Sequence, residues 1–342
     1  MGGKEDSGRI GGTVWRLIGA VALVAAVVIG GLWVDYRETL DRPLGIKETA
    51  YFEIAKGEGL SHIADRLKAQ GIVTKPLWFK VLAYREGVHT RLRYGEYAIP
   101  PNTTLRGLLA MFVAGKVRQH PVALVEGWTF QDLLAALGRH PALVGTTVGK
   151  SPEEIMALLG APGQSPEGRF FPDTYFVTKG TTDLELLRRA HERMRAVLER
   201  EWQERAPSVP FASADQALIL ASIVEKETAR PEERPAVAGV LVRRLAKGMR
   251  LQTDPTVIYG LGADFGGNLR KSDLKRDTPY NTYTRPGLPP TPIALPGLAS
   301  IRAALHPAEG ASLYFVARGD GSHVFSATLD EHRRAVDLFQ KH

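Results

Sequence analysis

The stretch "ASIVEKETARPEERP", residues 221–235, places two glutamates at the end of an apolar run. The run is apolar on almost all sides, which predicts a helix at the centre of its domain. Residues three, four and seven positions apart share a helix face, so Glu227 stacks over Val224 and Leu220. Glu225 stacks over smaller and partly polar side chains. Glu227 is therefore expected to be the more desolvated glutamate.

The end of this helix also favours a neutral Glu227. A proline at position 231 forces its predecessor out of the helical conformation, so Glu227 lies in the last turn. Helix C-terminal carbonyls disfavour a nearby negative charge, and both this effect and burial raise the pKa of a carboxyl group. A protonated glutamate suits a general acid. The alternative is that both glutamates form ion pairs with the arginines at 230, 234 and 243.

Composition limits the chemistry of the 342-residue chain. It has no cysteine, which excludes disulfides, thiolate metal sites, cysteine nucleophiles and a lipid-modified cysteine. Its nine histidines are scattered and form no His-Glu-x-x-His run, so neither a metal nor another cofactor is expected. The net charge of +7 favours an anionic partner without specifying one.

An apolar segment near the N-terminus predicts a membrane anchor. Leu17–Val34, "LIGAVALVAAVVIGGLWV", contains no charge, and Trp15 and Trp33 lie at its two ends. The basic residues before it predict a cytoplasmic N-terminus and an exported body, which argues against a nucleic-acid partner. The alternative is a cleaved signal peptide, for which the segment is long and lacks a clear cleavage site.

The body repeats one local pattern three times, in residues 49–71, 94–115 and 120–138. Each reads as a short strand, a turn and an amphipathic helix, which predicts a mixed α+β fold. A longer helix is expected from 182 to 202. The repeated pattern has two possible explanations, a true internal duplication or similar turn chemistry in an ordinary α+β fold. The expected helix caps are Ser61 and Gly71, Thr103 or Thr104 with Gly115, and Thr129.

Five segments together resemble a known family. They are "EGRFFPDTY", "ASIVEKETA", "GVLVRRLAKGMRLQTDPTVIYGLG", "YNTYTRPGLPPTPIALPG" and "HPAEGASLYFVARGDGSHVFSATLDEH". In this order they are similar to the membrane-anchored endolytic murein transglycosylases, the YceG-like family, over nearly the whole chain. The resemblance implies cleavage of the β-1,4 bond between N-acetylmuramic acid and N-acetylglucosamine inside peptidoglycan strands, with 1,6-anhydro ends and no cofactor.

The resemblance also implies residue roles and surroundings. The catalytic residue is the second glutamate of "EKET", Glu227, with Thr228 orienting the carboxyl or the substrate and Glu225 structural. A plasma-membrane location outside the cytoplasm is implied, with peptidoglycan synthases, the penicillin-binding proteins, as candidate partners. A rival hypothesis is a non-catalytic, membrane-tethered scaffold that binds cell wall.

Substrate contacts are expected from two segments that interleave polar and aromatic residues. Gln252 and Asn281 are the preferred hydrogen-bonding residues, and the tyrosines either stack on sugars or pack internally. Asp254 and Asp173 are weighed as second carboxylates against structural roles in turns. The expected binding set is Thr228, Gln252, Thr253, Asp254, Tyr280, Asn281 and Tyr283.

These observations predict five regions. A cytoplasmic N-terminus (1–13) precedes the transmembrane anchor (14–35) and a charged linker (36–47). A small subdomain (48–118) follows, which the resemblance implies is similar to LysM glycan-binding modules. This subdomain either binds glycan directly or has a packing or positioning role. The catalytic domain is expected to span 119–342.

Overall fold

The computed structural model describes residues 7–340, which divide into two compact units between Gln119 and His120. Both units combine helices with short strands, so the α+β fold class is confirmed. The elements of the first unit are α1 (Ser7–Asp41), β1 (Ala50–Ile54), α2 (Leu60–Ala69), α3 (Pro76–Arg85), β2 (Gly95–Ile99) and α4 (Leu105–Ala114).

Helix α1 joins the apolar segment to the first unit without interruption. Its part Trp15–Asp41 is long and apolar enough to cross a membrane, and the side chains from 15 to 34 are exposed. Tyr36 and Leu40, one turn apart on one face, are buried in the core of the unit. The linker expected over 36–47 is therefore wrong in its first half, because those residues continue the helix to Asp41.

The core of the first unit lies between a two-stranded sheet and three helices. Strands β1 and β2 are antiparallel, with Phe52 opposite Tyr97, and alternate residues of both strands are buried. Phe112 of α4 contacts both rings, with centroids 5.9 and 4.7 Å away. The apolar faces of α2, α3 and α4 thus bury one side of the sheet.

The helix caps test the local predictions. Thr104 caps α4 by accepting a hydrogen bond from the amide of Gly107, and Gly115 ends that helix in the left-handed conformation, as expected. The cap expected at Ser61 is wrong, because the N-cap of α2 is Gly59, two residues earlier, and the helix already begins at Leu60. The same helix ends at Ala69 with Gln70 as its C-cap, one residue before the expected Gly71.

The second unit contains more helix and three two-stranded sheets. Strand pairs β3–β5 and β7–β8 are antiparallel, and β4–β6 is parallel. Its elements are β3 (His120–Ala123), α5 (Phe130–Gly138), β4 (Leu143–Val144), α6 (Pro152–Leu158), β5 (Thr174–Val177), β6 (Thr181–Thr182), α7 (Asp183–Gln203), α8 (Ala214–Glu227), α9 (Arg234–Ala246), α10 (Asp254–Leu261), α11 (Leu298–Leu305), β7 (Tyr314–Ala317), β8 (His323–Ser326) and α12 (Leu329–Phe339).

Helix α8 is the centre of the second unit, as the apolar run predicts. All eight residues from Ala217 to Val224 are buried, and α8 packs against α7, α9, α10 and α11. The buried hydroxyl of Ser222 has two hydrogen-bond partners: it donates to the carbonyl of Ile219 and accepts from the amide of Ile293. The cap expected at Thr129 for α5 is present as a capping box, and Thr182, where the longer helix is expected to start, is the N-cap of α7 and also forms a capping box.

Candidate active site

A cleft of about 490 Å³ opens beside the C-terminal end of α8. Its walls come from α9, from residues 251–254, from Tyr283, and from the β7–β8 hairpin with α12. Glu227, the last residue of α8, lines it. The helix therefore brings one carboxyl group from the apolar centre of the unit to the wall of an open cavity.

The surroundings of Glu227 favour its neutral form. Within the described residues, no hydrogen bond or ion pair stabilises its carboxylate. Burial, and then the negative charge of Asp254, raise the pKa of Glu227 to about 8. The side chain remains half-buried, because one side faces the cleft. At neutral pH this carboxyl group holds a proton that it can donate to a bound molecule.

Glu225 has a different environment, although it lies only two residues away. Its buried carboxylate is 2.9 Å from the guanidinium of Arg234 and accepts the amide hydrogen of Gly297 at 3.0 Å. The ion-pair alternative therefore holds for Glu225 and fails for Glu227. The arrangement makes Glu225 a link between α8, α9 and the start of α11.

Asp254 and Tyr283 form a second polar group in the cleft. The Tyr283 hydroxyl donates to Oδ1 of Asp254 at 2.6 Å. Burial raises the pKa of Tyr283 further above its ordinary value, and the neighbouring Asp254 adds to this effect. Asp173, the other aspartate that the sequence analysis weighs, bonds its carboxylate to Arg193 and the amide of Thr174. Only Asp254 of this pair lines the cleft.

Gln252 lines the cleft in a left-handed backbone conformation, with φ of 56°. Its amide donates to the carbonyl of Thr282, and its side-chain oxygen accepts a hydrogen bond from Arg244 at 3.3 Å. Arg244 is buried and also lines the cleft, with its other hydrogen bonds to the carbonyls of Arg250 and Leu251. An uncommon backbone conformation held by a buried arginine is typical of functional sites.

Asn281 does not face the cleft. It is fully buried, its amide nitrogen donates to the carbonyls of Leu274 and Arg276, and its oxygen accepts from the amide of Tyr283. These bonds use the amide group to order the loop that carries Tyr283. A substrate-binding role for Asn281 does not fit this environment, because its polar atoms are already paired within the protein. The sequence alone does not reveal this pairing.

Three other residues of the expected binding set also do not line the cleft. Thr228 is buried as the C-cap of α8, and its hydroxyl accepts from the amide of Arg230. Thr253 lies in a buried cluster of hydroxyls with Thr282. Tyr280 bonds its hydroxyl to Thr291 and packs its ring against another tyrosine. They support the walls, while Gln252, Asp254 and Tyr283 line the cleft with Glu227.

The β7–β8 hairpin contributes lining residues that the sequence analysis does not single out. Tyr314 and Phe315 present aromatic rings, and Arg244 lies over the Tyr314 ring at 5.2 Å. His323 places Nδ1 2.6 Å from Glu233. The signal in the sequence is "SLYFVARGDGSHVF", two short runs with aromatic and β-branched residues on either side of a Gly-Asp-Gly turn, which is typical of a β-hairpin. Across residues 7–340, no three His, Asp or Glu side chains are arranged to hold a metal ion.

Comparison with known proteins gives one consistent result. The model of the YceG-like family matches residues 52–338. The chain is 28% identical over 333 residues to the endolytic murein transglycosylase of Bacillus subtilis, covering 92% of this chain and 91% of that protein. It is 26% identical to the endolytic murein transglycosylase of Streptococcus pneumoniae serotype 2, covering 91% of this chain and 63% of that protein.

A solved structure agrees with the sequence comparisons. The crystal structure of a YceG-like protein from Listeria monocytogenes matches with a TM-score of 0.53 and 28% identity, covering 85% of this chain and all of that one. Its similarity extends across both the sequence and the fold. Since the family model matches most of the chain, the protein belongs to the YceG-like family.

Proposed function

We propose that this protein is an endolytic lytic transglycosylase of peptidoglycan. It cleaves the β-1,4 bond between N-acetylmuramic acid and N-acetylglucosamine within a glycan strand and leaves 1,6-anhydro-muramic ends. The observation that carries this proposal is Glu227, a carboxyl group with a pKa of about 8 in the wall of a 490 Å³ cleft. The names of the bacterial relatives support the same reaction class.

Glu227 acts twice in the proposed mechanism. It first donates its proton to the glycosidic oxygen, and the bond from that oxygen to C1 of the muramic acid breaks. The resulting carboxylate then takes the proton of the 6-hydroxyl of the same sugar, while O6 forms the new bond to C1. No water is consumed, because the attacking hydroxyl belongs to the ring itself and is held close. Glu227 ends the cycle protonated.

Asp254 has an electrostatic role in this proposal. Its negative charge raises the pKa of Glu227 and so keeps the acid protonated before the reaction. The same charge stabilises the positive charge that develops at C1 as the bond breaks. The hydrogen bond from Tyr283 orients the carboxylate. The N-acetyl group of the substrate provides the remaining stabilisation, which ordinary glycosidases obtain from a second carboxylate at closer range.

The cleft suits a sugar chain. The aromatic residues Tyr283, Tyr314 and Phe315 line it together with polar groups of Gln252 and Arg244. Sugars combine apolar ring faces with hydroxyl edges, so both kinds of group contribute to binding. An open cleft, rather than an enclosed pocket, fits cleavage inside a strand.

We further propose that α1 spans the plasma membrane once, with the N-terminus in the cytoplasm and both units outside. The basic residues before the apolar segment support this orientation, and the length of Trp15–Asp41 supports the span. The reaction would then release nascent glycan strands next to the membrane, which ends their elongation. Peptidoglycan synthases are the partners that this role implies.

The test uses the full-length protein in detergent with purified peptidoglycan and mass spectrometry of the products. Wild-type protein should release anhydro-ended glycans, and Glu227→Gln should lower the rate by about 10²–10⁴-fold. Glu199→Gln is the matched control, because it makes the same change at an exposed position of α7 outside the cleft and leaves the proposed acid untouched. Products one water heavier would contradict the proposal in favour of a hydrolase. Absence of products from folded wild-type protein would favour the cell-wall-binding scaffold.

A further inference from the structure

The first unit contains a second cavity, of about 330 Å³, where α1 leaves its exposed apolar stretch. Trp33, Tyr36 and Leu40 of α1 form one wall, and α3 and α4 contribute the arginines Arg85 and Arg106. The proposed catalytic cleft lies wholly in the other unit. The peptidoglycan reaction proposed above makes no use of this second cavity.

Two of its three arginines have no carboxylate partner within residues 7–340. The guanidinium groups of Arg37 and Arg85 lie over the Trp33 ring, 5.7 and 5.3 Å from its centroid. Arg106, in contrast, is paired with Asp41 and Glu86. The cavity therefore presents two positive charges without an ion-pair partner, both next to one aromatic ring, and guanidinium groups are well suited to bind an anion.

The cavity wall also contains an unpartnered donor. Tyr36 is only 3% exposed, and its hydroxyl is buried with no hydrogen-bond partner among the described residues. A buried hydroxyl without a partner is costly, so such groups are usually completed by water or a ligand. An oxygen-rich anion in the cavity would provide an acceptor for this hydroxyl as well as for the guanidinium groups.

The depth of the cavity identifies the source of such an anion. Helices rise 1.5 Å per residue, so Tyr36 and Arg37 lie roughly 3–5 Å beyond Val34, where the charge-free run ends. The headgroup layer of a bilayer extends about 5–7 Å outside the hydrocarbon core. Trp33 is the ring type that favours this interface. The two free arginines are thus at the level of lipid phosphates.

We propose that this cavity binds the phosphate of an anionic phospholipid in the leaflet facing the two units, with Arg37 and Arg85 as the charged ligands and Tyr36 as a hydroxyl donor. The inference rests on the proposed membrane span of α1, and not on the reaction at Glu227. A bound headgroup would hold the first unit against the membrane surface by a contact independent of the apolar span.

The experiment measures lipid binding to the full-length protein by native mass spectrometry in detergent. The probes are phosphatidylglycerol, phosphatidylcholine and inorganic phosphate. Wild-type protein should retain phosphatidylglycerol preferentially, and Arg37→Gln with Arg85→Gln should weaken this binding on the order of tenfold. The control pair, Arg42→Gln with Lys47→Gln, removes the same charge from exposed positions outside the cavity and should keep the preference.

Tyr36→Phe gives an independent readout. Because the buried hydroxyl has no partner in the protein, its removal should not lower the melting temperature but should weaken phosphatidylglycerol binding severalfold. Equal lipid binding by wild type, the cavity variants and the control pair would overturn the proposal, as would full displacement of lipid by inorganic phosphate. Extraction of the wild-type chain from membranes by alkaline carbonate would also overturn the proposal, because it would show that α1 does not span the membrane. None of these results changes the product assay for Glu227.

Discussion

Replacing Glu227 by glutamine should make the second unit more stable at high pH, although it removes the proposed catalytic group. The carboxyl has a pKa near 4.5 in the unfolded chain and about 8 in the folded protein. Folding therefore favours its protonated form. The resulting contribution to stability is fully present below pH 4.5, declines as the pH rises, and is lost once the pH passes about 8. Glutamine resembles the protonated form and carries no such dependence.

The expected size of the effect follows from the pKa difference. Ionising a carboxyl with this shift costs up to about 5 kcal/mol of unfolding free energy. Water in the cleft screens part of the charge, so we expect Glu227→Gln to gain about 2–5 kcal/mol over wild type at pH 9 relative to pH 5. For a unit of this size, each kcal/mol corresponds to about 2–4 °C in melting temperature.

Differential scanning calorimetry of both proteins between pH 5 and pH 9 measures this difference. Subtracting one melting temperature from the other cancels groups that the two proteins share, such as Glu167, whose pKa burial raises to about 7. A difference that stays constant across this range would mean that Glu227 is already ionised in the folded protein. The argument for Glu227 as the acid would then lose its physical basis.

Three further changes test neighbouring parts of the second unit. Asp254→Asn should move the alkaline loss of activity to lower pH, since removing a like charge lets Glu227 ionise more easily; an unmoved pH–rate profile would contradict this. Glu225→Gln should destabilise the unit by about 3 kcal/mol in urea unfolding, because it leaves the buried guanidinium of Arg234 without its closest partner. Gly239→Ala should cost about 2 kcal/mol in the same assay, because a Cβ there would lie 2.4 Å from the carbonyl oxygen of Ala308; wild-type stability would show that the loop gives way freely.

Local signals in the sequence predict helices well where one face is apolar and the ends are capped. The apolar run of α8, the caps at Thr104 and Thr129 and the start of α7 near residue 182 all lie where the pattern indicates. The end of α1 could not be predicted in this way. The segment after the apolar run is rich in charged residues and therefore looks like a linker, although Tyr36 and Leu40 within it are buried. Only the packing of the first unit shows that they belong to its core.

The cleft is harder to predict than the helix that reaches it. The contrast between Glu225 and Glu227 can be derived from helix spacing, because neighbours on one helix are local. Whether Asn281 or Gln252 faces the cleft depends on contacts with distant segments, and the two residues look equally suitable in the sequence. Asn281 is enclosed by its own loop, whereas Gln252 is turned outward by a left-handed backbone. The contribution of the β7–β8 hairpin likewise depends on long-range packing.

The continuity of α1 couples the orientation of the first unit to that of the membrane segment. A helix without a break carries its angular phase along its axis, about 100° for each residue. Because Tyr36 and Leu40 lock that axis into the first unit, a rotation or tilt of the membrane segment turns the unit with it. If a neighbouring membrane helix packed against one face of the apolar segment, it would fix the rotation of α1 about its axis. It would thereby determine which side of the first unit faces the glycan. Adding one residue within the exposed apolar stretch before Trp33, for example after Gly30, would change that rotation by about 100° and leave the contacts of Trp33, Tyr36 and Leu40 within the unit in place.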